Sequence, residues 1–395
     1  MRTPGAWARR NAGSLAVVGF AAALTLPWII GASNEASLEN RQATAMPKLT
    51  ATSMLDHRTY VQMDRALRDR LGVRQPAIHM IAQAGYDTLG VSLSSRVYSG
   101  VDGYLFPSDE FTAPCKKPID IDQAQADIAA IASGANGKPG AVTLIIAPDK
   151  STIMRDKLGR LGEQLMVCAD QQRARVDALT RLLPDTVFSL DRKVADIVDS
   201  TGTTPYTRGD THWLPQVARS FGEVLIPHLA SVTSSPDVRW QEPVVSGTVQ
   251  YGDLYALLGA SEPAVIAPRL EAQRPGATTT YKDEPITGSR PSRTYRTTGV
   301  ATVPGRTLFI YDSFVARRNF GNDFSAPQMV PYFASVTFVH WNDVRKYLAQ
   351  HPAAFDRIVI DSVQRSDGDM FGWIHEPALQ RGLHDVLARG AAGSR

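Results

Sequence analysis

The segment Thr207-Arg-Gly-Asp-Thr-His-Trp213 places a carboxylate two residues before an imidazole, beside a tryptophan. In an extended segment residues i and i+2 share a face, roughly 7 Å apart at Cα. Asp210 and His212 would then point the same way, as a carboxylate that orients an imidazole does. Such a base needs a nucleophile or a metal to act on. No third ligand of suitable spacing accompanies Asp210 and His212, so no metal and no cofactor are expected. The nucleophile candidate is Ser313 in "TLFIYDSFVARRN", where an apolar strand ends at Tyr311 and the chain turns at Asp312-Ser313. In open α/β sheets active sites lie beyond the carboxyl ends of the strands. A serine at that point has backbone N–H groups beside it for an oxyanion. It needs an adjacent base held by a third group. The roles that follow are Ser313 as nucleophile, His212 as general base and then acid, and Asp210 as the group that fixes the histidine tautomer. Plainer readings stand beside these: Asp312 and Ser313 are good helix N-caps, and His212 could simply pack on Trp213.

The elements that must position these residues follow an α/β rhythm. A predicted helix at 121–134 leads to the strand "AVTLIIAP" (141–148), and a long helical stretch at 153–183 leads to "TVFSL" (186–190). A helix at about 214–231 carries apolar Val217, Phe221, Val224, Leu225 and Leu229. "RTLFIY" (306–311), "SVTFVHW" (335–341) and "RIVIDSV" (357–363) read as further strands, with helices at 343–350 and 377–389. Near-continuously apolar strands alternating with helices predict an α/β fold, a mostly parallel sheet with helices on both faces. Residues 56–90 carry helical periodicity, and "RVYSGVDGYLF" (96–106) reads as a hairpin around Asp102-Gly103. Between 233 and 305 the composition shifts to Thr, Pro, Gly and Ser, which reads as an insertion with short strands and loops.

At 395 residues, 43% hydrophobic and 21% charged, the chain has an ordinary globular balance. A net charge of +3, without a basic stripe interleaved with aromatics, speaks against a nucleic-acid partner. Arg2, Arg9 and Arg10 precede an apolar run at 12–32, and Glu35 and Glu39 follow it. As a helix that run would span about 31 Å, enough for a bilayer. The expected organisation is a cytoplasmic tail (1–11), a transmembrane anchor or cleaved signal peptide (12–32), a tether with N-terminal helices (33–95), and a catalytic domain (96–395) with an insertion at about 233–305. Either reading of 12–32 exports the bulk of the chain. In an oxidising compartment Cys115 and Cys168 would form a disulfide, the alternative being two unpaired buried thiols. Closing a loop of about 53 residues would add roughly 4 kcal/mol in the chain-entropy model.

Seven motifs in one order carry a family resemblance: "ENRQATAMPKL" (39–49), "YSGVDGYLF" (98–106), "APDKSTI" (147–153), "YTRGDTHW" (206–213), "YGDL" (251–254), "YDSF" (311–314) and "VIDSVQR" (359–365). Over about 35–370 the chain resembles the AlgJ/AlgX-type alginate O-acetyltransferases, an SGNH-hydrolase-like group that acetylates exopolysaccharides outside the cytoplasm. The resemblance implies catalytic Asp210, His212 and Ser313, in a permuted order with the Asp-x-His pair before the serine. It implies a polysaccharide acceptor and, as acetyl donor, a polytopic membrane-bound O-acyltransferase. With the flanking arginines and the apolar run, the expected location is single-pass in the inner or cytoplasmic membrane, with the catalytic domain on the periplasmic or extracytoplasmic side. Two departures stand out: Tyr311 replaces a glycine common before the Asp-Ser pair, and Gln364 stands where an acidic residue is expected. Arg317, Asn319 and Tyr332 are candidate oxyanion donors beside the Ser313 amide. The same three catalytic residues would also serve an SGNH-type carbohydrate acetyl esterase, and the same fold a non-catalytic polysaccharide-binding or assembly protein.

Overall fold

Strand residues of the apolar runs divide between two buried faces. Leu144, Ile146, Leu308, Ile310, Ile358 and Ile360 enter one hydrophobic cluster; Ile145, Ala147, Phe309, Tyr311, Val359 and Val363 enter the other. That two-sided burial is why the runs read as nearly continuous apolar sequence. In the computed structural model the strands are β1 (Val97–Ser99), β2 (Leu105–Pro107), β3 (Val142–Ala147), β4 (Val187–Ser189), β5 (Val244–Tyr251), β6 (Val265–Glu271), β7 (Thr278–Glu284), β8 (Ser292–Thr298), β9 (Val303–Tyr311), β10 (Phe333–His340) and β11 (Arg357–Val363). The structure describes residues 44–50, 52–69, 74–160, 162–261, 265–316 and 324–393; the expected cytoplasmic tail and anchor, 1–32, lie outside them. No helix among the described residues is long and apolar enough to cross a membrane.

The described chain divides into two compact units, one before Tyr98 together with Tyr255–Glu262, the other Tyr98–Leu254 with Pro263–Arg395. The first contains helices α1 (His57–Asp69) and α2 (Arg74–Leu89). There His79 Nδ1 meets the Gly259 carbonyl at 2.8 Å, and the Gln83 side-chain oxygen accepts from the Ser261 N–H at 2.8 Å.

The second unit is built on a seven-stranded sheet of order β4-β3-β11-β9-β10-β8-β7. Strands β4, β3, β11, β9 and β10 pair in parallel, while β8 and β7 add antiparallel strands at one edge. Helices α3 (Asp109–Lys116), α4 (Ile121–Ser133), α5 (Val167–Leu182), α6 (Asp191–Thr201), α7 (Pro215–Val232), α8 (Val344–Gln350), α9 (Asp367–Ile374) and α10 (Pro377–Gly393) complete it. α6 and α7 bury apolar residues in the cluster of Ile145 and Phe309. α4, α5, α8, α9 and α10 do so in the cluster on the opposite face.

Two differences from the sequence reading have physical causes. The helical stretch expected at 153–183 is helical as α5 only from Val167, because the chain upstream breaks into short turns around Gly159, whose φ of +72° belongs to the left-handed region. The expected insertion at 233–305 supplies the separate β5–β6 hairpin, but also β7 and β8 of the main sheet. The Asp102-Gly103 turn does close the β1–β2 hairpin, with φ of +56° and +75°.

Candidate active site

Parallel pairing brings the carboxyl ends of β3, β11, β9 and β10 to one sheet edge: Ala147 pairs with Val363, and Tyr311 with His340. The segments leaving that edge carry Lys150, Gln364, Arg365 and Ser313. Asp312 shapes the turn that carries Ser313. Its Oδ1 accepts from the Phe314 N–H at 2.7 Å, and its Oδ2 from the Val363 N–H at 3.0 Å. Asp312 thus makes a local side-chain turn and ties β9 to β11. Its own N–H donates to Asp361 Oδ2 at 3.3 Å. Burial and the Asp312 charge push the Asp361 carboxyl well above the ordinary aspartate range.

The Asp-x-His segment is held by donors to each carbonyl from Thr207 to Asp210. Lys150 Nζ donates to the carbonyls of Thr207 (2.6 Å), Arg208 (2.8 Å) and Asp210 (3.1 Å). The Gly209 carbonyl accepts from the Leu254 N–H at 2.9 Å. Buried backbone acceptors demand such partners. Burial draws Lys150 down to about 7, while Glu110, Asp210 and Asp253 pull it upward. Trp213, fully buried, fixes the far side: its indole N–H donates to the Phe314 carbonyl at 2.9 Å. α7 begins at once with Pro215 in its first turn, where the missing N–H costs nothing.

Held this way, the three residues named from sequence meet. His212 Nε2 lies 3.0 Å from Ser313 Oγ, and His212 Nδ1 lies 2.8 Å from Asp210 Oδ1. The His212 backbone N–H also donates to Asp210 Oδ1 at 2.8 Å, and the N–H groups of Gly252 (2.6 Å) and Asp253 (3.2 Å) donate to Asp210 Oδ2. Gly252 adopts φ of +143°, open to glycine alone, to bring its N–H that close. The imidazole stacks on Phe324 at 4.9 Å between centroids and leans on Phe314 at 5.3 Å. Such a chain of contacts can move a proton from a serine to an imidazole whose other nitrogen is held by a carboxylate.

Asp253, from the "YGDL" motif, is a member of the site that sequence spacing did not reveal. It accepts from the Thr211 N–H (2.8 Å) and the Thr211 hydroxyl (2.6 Å) and stands 3.5 Å from His212 Nδ1. Crowding around its carboxylate and the like charge of Asp210 raise it above the ordinary aspartate value, although its side chain keeps 38% exposure. Asp210, His212 and Asp253 gather ligand-type atoms within 4.8 Å, so Asp253 is the third ligand-type residue that the spacing had not offered. Yet all four carboxylate oxygens already accept from N–H or O–H donors, which suits a hydrogen-bonded support better than a metal shell.

Of the candidate oxyanion donors, Arg317 and Asn319 lie outside the described residues. Tyr332 is committed elsewhere: its hydroxyl accepts from the Gln241 N–H at 2.8 Å, and its ring stacks on Trp240 at 5.3 Å and under the Arg274 guanidinium at 4.6 Å. Among the described residues nothing accepts from the Ser313 N–H. The two departures also find their context. Tyr311 is buried against Phe338 and His340. Gln364 Nε2 donates to both oxygens of Asp191, at 2.8 and 2.9 Å, so the acid stands on the other partner. Gln364 Oε1 accepts from the Asp149 N–H (3.0 Å) and the Thr152 hydroxyl (2.6 Å). Arg365 pairs with Asp149 at 2.5 Å beside the buried Glu110. Cys115 and Cys168 form the expected disulfide, Cα–Cα 5.1 Å, joining α3 to α5.

The fold resembles several solved structures. The O-acetyltransferase domain of Pseudomonas putida AlgJ is similar at 17% identity, with 71% of this chain and 99% of that one covered and a TM-score of 0.47. Bacillus cereus PatB1 is similar at 11% identity, covering 70% and 98%, with a TM-score of 0.45. Pseudomonas aeruginosa AlgX is similar at 14% identity, covering 75% and 68%, with a TM-score of 0.46. No curated protein sequence matches the chain. The family described as SGNH hydrolase-like domain, acetyltransferase AlgX, matches residues 97–324, more than half of the 395, and the match includes Asp210, His212, Asp253 and Ser313. The chain therefore belongs to the SGNH hydrolase-like acetyltransferase AlgX family.

Proposed function

We propose that the protein is an extracytoplasmic O-acetyltransferase that moves an acetyl group through a Ser313 ester to hydroxyls of a polysaccharide. The observation that carries this reading is the unbroken path Ser313 Oγ to His212 Nε2 (3.0 Å) and His212 Nδ1 to Asp210 Oδ1 (2.8 Å), inside a family of acetyltransferases. Ser313 Oγ attacks the acetyl carbonyl as His212 Nε2 takes its proton. The negative oxygen that forms gathers at the Ser313 N–H. Collapse breaks the donor ester, and the leaving oxygen takes the proton back from Nε2. A sugar hydroxyl then gives its proton to Nε2 and attacks the acetyl-serine, and Ser313 leaves reprotonated. Asp210 stays ionised throughout and keeps the Nδ1–H tautomer, with Nε2 free to accept. The donor is a polytopic membrane O-acyltransferase in this reading. Residues 12–32 anchor the chain, and the catalytic unit lies on the periplasmic side.

The test gives the purified protein an acetyl-ester donor with and without a sugar oligomer and measures transfer against hydrolysis. Ser313→Ala is expected to abolish transfer without lowering Tm. Asp210→Asn should cost about 10³–10⁴-fold, by analogy with other serine triads. Hydrolysis with no transfer would replace the transferase reading with the esterase one. Full activity in Ser313→Ala would leave only a binding or assembly role.

A further inference from the structure

The residue between Asp210 and His212 is a threonine, and its hydroxyl faces the imidazole. Thr211 Oγ lies 3.1 Å from His212 Nδ1 and 2.6 Å from Asp253 Oδ2. A hydroxyl has a single proton. If it points at Asp253, the oxygen turns a lone pair toward Nδ1 and tolerates only an Nδ1–H. If it points at Nδ1, that nitrogen must be bare, and the imidazole proton sits on Nε2, facing Ser313. A histidine in that second state cannot take the serine proton.

We infer that Asp253 is a positioning residue that sets the His212 tautomer through the Thr211 hydroxyl; the consequence for activity rests on the proposed serine mechanism. A carboxylate at 253 accepts only, and it uses both oxygens: one on the Thr211 N–H at 2.8 Å, the other on the Thr211 hydroxyl. The backbone N–H cannot rotate away, so it fixes which oxygen is left for the hydroxyl. Asp253 is itself placed by the segment it serves, since the Gly252 and Asp253 N–H groups bind Asp210 Oδ2. Two acids thus hold Nδ1–H by separate routes, Asp210 directly and Asp253 through Thr211.

Asparagine at 253 inverts the relay. Its one oxygen must stay with the Thr211 N–H, which leaves its NH₂ facing Thr211 Oγ as a donor. The hydroxyl proton is then driven away from residue 253, toward Nδ1. Asp253→Asn should therefore lower kcat on the order of 10-fold, the effect of weakening one hydrogen bond to the active imidazole, with KM for the acetyl donor unchanged. Thr211→Val, which has no hydroxyl to turn, should lose much less. The distinguishing expectation is the double variant: Thr211→Val in the Asp253→Asn background should recover activity. Nitrogen-15 NMR of the His212 ring, assigned with His212→Gln, reads the tautomer without any turnover. It should report Nδ1–H in the wild type and in Thr211→Val, and a gain of Nε2–H in Asp253→Asn. An unchanged tautomer in Asp253→Asn, or a double variant no better than Asp253→Asn, overturns the inference. Ser313→Ala run in parallel separates the two levels. Activity surviving there defeats the serine mechanism, while the NMR result still decides the role of Asp253.

Discussion

The extended geometry expected around Asp210 and His212 is not adopted, since residues 211–212 bend and Asp210 Oδ1 accepts the His212 N–H. Ser313, His212 and Asp210 were nonetheless legible as candidates, from a strand end and the Asp-x-His spacing. Their supports were not. Lys150 reaches carbonyls 57 to 60 residues away, and Asp253 reaches back 42 residues to Thr211. No periodicity encodes contacts of that range. Gln364 likewise looked like a lost charge until Asp191 appeared opposite it. Lys150 allows a direct test at this scale. Its three donors serve three carbonyls of the Asp-x-His segment, and the ammonium is buried. Lys150→Met fills similar volume but removes that donor from the buried Thr207 and Asp210 carbonyls, while the Arg208 carbonyl keeps the Leu105 N–H. At about 1–3 kcal/mol for each unsatisfied buried group, the loss should reach roughly 3 kcal/mol or more in urea unfolding, with activity falling even under conditions where the variant is folded. Wild-type stability in the variant would mean the segment is held by other contacts.

At the scale of elements, the strands buried on both faces were found within three residues at each end, since their burial writes itself into the sequence as apolar runs. β7 and β8 escaped because they close the sheet at an edge: "TTTYKDE" is almost wholly exposed and "SRTYRTT" half so. The helix read through 153–183 failed at Gly159, where apolar spacing continued but the backbone did not. The disulfide acts between elements. It ties α3, whose Glu110 accepts from the Ser151 N–H at 2.9 Å, to α5 across 53 residues. Replacing Cys115 and Cys168 with alanine should cost about 2–5 kcal/mol. The Glu110–Ser151 contact neighbours Lys150, so activity should also be lost at a lower temperature than in the wild type. A variant pair matching the wild type in both melting and activity would confine the disulfide to a local role.

Across the whole molecule, the carboxyl edge of the sheet concentrates buried acids. Burial pushes Asp367 well above the ordinary aspartate range, and the charges of Asp149, Asp191 and Asp312 push the same way. Burial raises Asp361 and Asp149 as well. A carboxyl that keeps its proton when folded and loses it when unfolded favours folding at low pH. That contribution disappears as pH rises from the ordinary aspartate value, about 4, through the raised folded value. Asp367→Asn removes one such group. Its Tm should exceed the wild type's by a few degrees near about pH 8, and the gap should close toward about pH 4. Parallel Tm curves for the two proteins across that range would contradict this account of the edge. The central claim is that the acetyl group passes through Ser313. Mass spectrometry of the protein quenched during turnover with an activated acetyl ester tests it most directly. The account predicts one acetyl group on the peptide containing Ser313, absent in Ser313→Ala and discharged to product when a sugar oligomer is added. An acetyl group that forms on another residue and is passed to sugar equally well in Ser313→Ala would contradict it.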